Sequence, residues 1–136
     1  MSDVGLLRRK ARLNYRTVLE GNKSYISFKG ALSENYVYTE LQSMGIDAYF
    51  WRSNANAELD FVTDYEGVLL PIEVKSADNT KAKSLQLFCK RYHPKMAIKT
   101  SLKNVGDNQE GETHIWSIPL YTLFRLKEYL YNEMNW

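Results

Sequence analysis

A chain of 136 residues, 44% of them apolar, has the size and composition of one globular domain around a single core. A lone cysteine, Cys89, excludes an internal disulfide and any multi-cysteine zinc site, and neither His93 nor His114 has a metal-ligand partner at short spacing. The net charge of +2 is too small to argue for nucleic acid by itself, and the absence of a membrane-length apolar run or a signal-peptide pattern makes a cytoplasmic protein the expectation.

Taken in chain order, Ser2 to about Arg12 reads as a short basic helix and Asn14 to Phe28 as a less regular connection. From Lys29 to Met44, Leu32, Tyr36, Val37, Glu40 and Leu41 recur at helical spacing, with Gly45 as the stop. Residues 1–28 are thus expected to be a helical lead-in and 29–136 the domain proper. Ile46 to Arg52, aromatic and apolar on both faces, reads as a buried strand that sends Phe50 and Trp51 into the core with Phe61.

Ser53 to Asn56 is a turn. Ala57 to Thr63 is a second strand with Glu58, Asp60 and Val62 on one face and Leu59 and Phe61 on the other; Asp64-Tyr65-Glu66-Gly67 has hairpin composition, and Val68 to Lys75 returns from it. Pro71 has no backbone donor, so it belongs at an edge, a bulge or an irregular point. Asn79 or Thr80 can cap a helix running to Tyr92 with an apolar stripe of Ala82, Leu85, Phe88, Cys89 and Tyr92. A strand near Met96 to Lys99, a mobile loop over Val105 to Gly111, a strand over Thr113 to Ile118 and a helix from Leu120 to about Tyr131 complete an α/β order.

The stretch PIEVKS, Pro71 to Ser76, holds the chemistry. In a strand, Glu73 and Lys75 point one way and Ile72 and Val74 the other. The hairpin makes Asp60 a neighbour on the same face, and Glu34 on the first core helix is a third carboxylate within reach. Carboxylate oxygens, supplemented by the Val74 carbonyl, suit a hard cation such as Mg²⁺ or Mn²⁺, and a nearby ammonium offsets charge developing on a phosphodiester. The competing reading is a surface ion-pair cluster contributing about 0–1 kcal/mol per pair. Glu34 can instead cap the helix or pair with Arg52 or Lys75, and Glu58 shares the face of Asp60.

Asp60, a gap of twelve residues, then Glu73-Val74-Lys75, preceded by a helix bearing Glu34, resembles the PD-(D/E)XK nuclease superfamily. SDVGLLRRKARL, KGALSENYVYTEL, YFWRSNANAELDFV, PIEVKS and IPLYTL, in that order, resemble the nuclease-like domain of unknown function found C-terminal to AAA-type ATPase modules in bacterial and archaeal proteins. The resemblance implies a restriction-endonuclease-like fold, a mixed central sheet flanked by helices. It further implies that Asp60 and Glu73 hold a divalent metal, that Lys75 assists catalysis and that Glu34 supports the metal from the helix. An ATPase module is the implied partner, while Gly21-Asn22-Lys23-Ser24 lacks the glycines of a phosphate-cradling loop. Leu59 stands where the superfamily name places proline, and Lys90 stands where some branches carry tyrosine four residues after a glutamine, here Gln86.

The tract from Lys75 to Lys103 is basic, with Asp78 as its one acid. Lys81, Lys83, Lys90 and Arg91, with Gln86, are candidate nucleic-acid contacts, or else a solvated helix face. Two functions stay open: a Mg²⁺-dependent nuclease acting on nucleic acid, DNA ahead of RNA, and an inactive nuclease-like module that binds nucleic acid or regulates a protein partner. A homo-oligomer through the aromatic C-terminal helix is compatible with either.

Overall fold

A computed structural model describes residues 23–54, 56–75 and 82–134. The helix expected over Ser2 to Arg12, the proposed cap at Asn79 or Thr80 and Lys81 lie outside them. The described elements are α1 (Lys23–Ser43), β1 (Tyr49–Arg52), β2 (Glu58–Tyr65), β3 (Val68–Lys75), α2 (Lys83–Tyr92), β4 (Met96–Ser101), β5 (Gly106–Glu110), β6 (Thr113–Pro119), a 3₁₀ turn (Leu120–Arg125) and α3 (Leu126–Met134). The strands form one sheet in the order β1-β2-β3-β4-β6-β5. β3–β4 and β4–β6 run parallel and the other pairs antiparallel, giving the mixed, helix-flanked α/β sheet that the sequence implies.

Local chemistry sets the turns. Gly45, at φ +70°, closes α1: its N–H donates to Gln42 O at 3.0 Å and the Ile46 N–H to Leu41 O at 2.9 Å. That is the helix stop a left-handed glycine permits. Glu66 and Gly67, at φ 51° and 78°, make the two-residue turn joining β2 to β3, whose twist matches the strands, and Asp64 Oδ1 accepts the Gly67 N–H at 2.8 Å. Pro71 pairs with Val62 on β2, while the β4 register starts one residue later at Ile72↔Ile98. At Pro71, therefore, β3 has a neighbour on one side only, where a missing N–H costs nothing.

The sheet separates two apolar layers. On one face Val37 and Leu41 of α1 pack with Phe61, Leu70, Ile72, Val74 and Ile98, joined by Leu123, Leu126 and Leu130 of the C-terminal segment. On the other, Leu85, Phe88 and Cys89 of α2 pack with Leu59, Ala97 and Ile115. The predicted stripe of α2 thus faces the sheet, and Cys89 is buried there.

Four expectations are corrected. α1 begins at Lys23, so residues 23–28 are helical rather than irregular. β1 is shorter than Ile46 to Arg52 and forms the sheet edge: Ile46 is used in the helix stop, and Tyr49 and Phe50 are 64% and 80% exposed, leaving Phe61 buried and Trp51 half-buried. The loop expected over Val105 to Gly111 contains β5, a polar edge strand paired through its backbone to β6, a pairing that needs no apolar alternation. Finally, Leu59 and Phe61 belong to opposite apolar layers, which strict alternation forbids and a bulge explains.

Ile98 is 1% exposed at the centre of the sheet, so Ile98→Ala should lower the unfolding free energy by about 2–5 kcal/mol, measured by urea denaturation. Lys103→Ala, on an exposed position, should stay within about 0.5 kcal/mol of the parent.

Candidate functional site

The site begins at the bulge. Tyr49 pairs with Val62 and Trp51 with Leu59, so Asp60 and Phe61 of β2 together oppose the single residue Phe50 of β1. The extra residue turns Leu59 toward α2, and the β2–β3 register, running from Tyr65↔Val68 to Phe61↔Ile72, stops there. Past that point the Asp60 side chain replaces the ladder: its Oδ2 accepts the Val74 N–H at 2.6 Å. A charge-assisted bond to backbone of this kind fixes the carboxylate beside β3.

Glu73 and Lys75 share one face of β3, while Ile72 and Val74 sit in the α1 layer, as alternation predicts. The exposed-pair reading is corrected for Glu73, which is 3% exposed. Its Oε1 pairs with Lys75 Nζ, and its Oε2 is buried with no hydrogen-bond partner among the described residues. Burial pushes the Glu73 carboxyl above its ordinary range, and the charges of Asp60 and Glu34 push the same way, opposed by Lys75. Asp60 is raised mainly by burial, against the Val74 N–H and Lys75. Glu34 is raised by burial and by Asp60, against Lys75. Three carboxylates and one ammonium therefore share an electrostatic neighbourhood, as the sequence predicts.

Glu34 and Asp60 also line one cavity of about 230 Å³ with Phe50, Trp51, Arg52, Glu58 and Leu59. Glu58 is paired with Arg52 at the surface, which leaves Asp60 as the acid directed at β3. Among the described residues no group of three or more His, Cys, Asp and Glu side chains is close enough to hold a metal ion. Mg²⁺ needs only one or two carboxylates, with water and substrate oxygens completing its shell. The unpartnered Glu73 Oε2, close enough to Asp60 for their charges to interact, fits that smaller donor set.

The basic candidates divide. Lys83 and Gln86 line a cavity of about 430 Å³ with Lys99, Asn108, Gln109 and Glu110. Lys90 lies nearby, 3.3 Å from Glu110, whereas Arg91 rests over the Tyr92 ring at 5.4 Å. Lys99 pairs in register with Glu73, putting this cavity on the same sheet face as Glu73. Sequence reasoning missed Lys99, Asn108, Gln109 and Phe50. Alternation of Ala97, Lys99 and Ser101 carried a usable signal for the first, but the other three required knowledge of both sheet edges. His114 is paired with the Asp107 carboxylate and accepts the Trp116 indole N–H at 2.8 Å, yet Trp116 packs on the α1 face, away from Glu73. His93, at φ 47°, ends α2.

A family profile described as "Domain of unknown function (DUF4143)" matches residues 29–123, from α1 through the 3₁₀ turn. No curated protein matches the chain. No described helix is long and apolar enough to cross a membrane.

The pKa directions fix the sign of a pH effect. Glu34, Asp60 and Glu73 hold a proton more tightly folded than unfolded, so their contribution to stability is complete below the ordinary values of 3.8 for Asp and 4.5 for Glu. It is lost as pH rises through the raised folded values. In the presence of a chelator, the urea midpoint of the parent relative to Glu73→Gln should therefore fall on going from acid toward neutral pH. A difference that stays constant would remove the buried charge from the site.

Proposed function

The chain belongs to the DUF4143 family, and we propose that its domain is a nuclease of the PD-(D/E)XK type, hydrolysing nucleic-acid phosphodiesters with Mg²⁺ or Mn²⁺. The observation that carries this reading is the buried Glu73, which has one oxygen on Lys75 and the other without a partner among the described residues, in the electrostatic reach of Asp60 and Glu34. A carboxylate left in this state gains most from a cation, because burial, two neighbouring negative charges and a missing donor all disfavour its ionised form.

In this reading Asp60 and Glu73 hold the ion, the Val74 carbonyl is the third oxygen donor and Glu34 supports the ion from α1. A bound divalent cation supplies polarisation of the phosphoryl oxygen and a more acidic water. Asp60 keeps its orientation through the Val74 N–H, so the carboxylate needs no rearrangement as substrate arrives. Lys75, held by Glu73, offsets the charge that develops on the phosphate. Lys83, Gln86 and Lys99 line the adjacent cavity on the same sheet face and can position the nucleic-acid backbone, DNA ahead of RNA. The setting proposed is a module that works with an AAA-type ATPase.

A second reading, an inactive nuclease-like scaffold that binds nucleic acid or a regulatory protein partner, draws on a different observation. Asp60 already spends one oxygen on Val74, and no cage of three acidic side chains forms among the described residues.

Purified protein with Mg²⁺ or Mn²⁺ should degrade DNA or RNA, and Asp60→Ala or Lys75→Ala should slow this by on the order of 10²–10³-fold, the usual cost of losing one charge-stabilising group. Activity that survives both substitutions counts against this site. Calorimetric titration with Mn²⁺ separates the two readings: binding lost in Asp60→Asn and Glu73→Gln supports the nuclease, and no binding to the parent supports the scaffold.

A further inference from the structure

Beside the carboxylates, between α1 and the edge strand β1, lies a cavity of about 390 Å³ lined by Glu34, Asn35, Tyr38, Ala48, Phe50 and Phe61. Its volume falls in the range of small-molecule sites, about 300–1,000 Å³. Phe50 is 80% exposed, but its ring is not loose: it leans on buried Phe61 with centroids 5.6 Å apart, and Tyr38 also stacks on Phe61 at 6.3 Å. The aromatic surface is therefore built before any ligand arrives. Glu34 offers acceptor oxygens, and the Asn35 Nδ2 is buried with no hydrogen-bond partner among the described residues. Asn35 lines the cavity, so its amide is the nearest candidate donor for a ligand there.

Glu34 and Phe50 also line the neighbouring cavity that contains Asp60, so the two cavities share these two residues as a common border. Resting on the phosphodiester site proposed above, we infer that this cavity receives an unpaired nucleobase, stacked on Phe50, and that the substrate class is single-stranded nucleic acid. A base inside a duplex has both faces covered by its neighbours and cannot offer one to Phe50, whereas an unstacked base can. Binding through a π-face tolerates every base. The acid and amide at the wall then add edge contacts, and the strand runs from the aromatic cavity past Glu34 to Asp60 and Glu73.

The test is fluorescence anisotropy of the full chain in Ca²⁺, with a labelled single-stranded oligonucleotide and the same sequence as a duplex. The parent should bind the single strand more tightly, and Phe50→Ala should weaken that affinity by about tenfold or more, the cost of losing one base stack. Phe50→Trp should restore it, and Tyr121→Ala, at another exposed aromatic residue outside the cavity, should leave it unchanged. Equal binding by Phe50→Ala and the parent, a duplex preference, or no oligonucleotide binding at all would overturn the inference. So would a change in sedimentation on Phe50→Ala with affinity intact, which would assign the cavity to a second copy of the chain. If Asp60→Ala and Lys75→Ala abolish cleavage while Phe50→Ala matters for neither strand form, the nuclease reading stands and the base cavity falls.

Discussion

The site depends on one hydrogen bond, from the Val74 N–H to Asp60 Oδ2. It forms because β2 carries an extra residue where the β2–β3 ladder ends, and a side chain takes over where backbone pairing stops. The same bulge turns Leu59 into the α2 layer while Phe61 remains in the α1 layer. Packing on both sides of the sheet and the position of the acid therefore have a common origin. A bulge beside a functional group is a frequent device for aiming a side chain that regular alternation would aim elsewhere.

Charge gives this geometry its direction. A buried carboxylate is tolerated when it is paired and hydrogen-bonded, and Glu73 meets that condition on one oxygen only among the described residues. Lys75 offsets part of the cost, but Asp60 and Glu34 add to it. Three carboxyl groups thus share one ammonium, and one buried oxygen of Glu73 has no donor among the described residues. Structural ion pairs usually leave the opposite balance, with charges matched and oxygens satisfied.

Much of this was legible in the sequence, and the parts that were not share a cause. The alternation in Ile72-Glu73-Val74-Lys75, the Glu66-Gly67 turn, the Gly45 stop and the α2 stripe are local signals, and each reappears in the fold. The bulge at Asp60 was hidden because it is a relation between β1 and β2, two strands whose register no short window encodes. The exposure of Phe50 was hidden for a related reason: an aromatic run has the same composition at a sheet edge as in a core. β5 reads as loop because Gly106-Asp107-Asn108-Gln109-Glu110 is polar throughout, and only its pairing with β6 makes it a strand. Asp60, Glu73, Lys75 and Glu34 became candidates through residue type, spacing and the family resemblance, whereas Lys99 became one only through its lateral register with Glu73.

The two borders of the sheet also differ in chemistry. β5 presents acids and amides, a strip that water solvates readily and that disfavours further backbone pairing, while β1 is only four residues long and presents Tyr49 and Phe50. Pairing between copies is therefore left to the β1 rim, and two β1 strands that pair with each other use up the edge that further growth would need. At high concentration, the brevity of β1 and the bulge in its pairing with β2 work against runaway association.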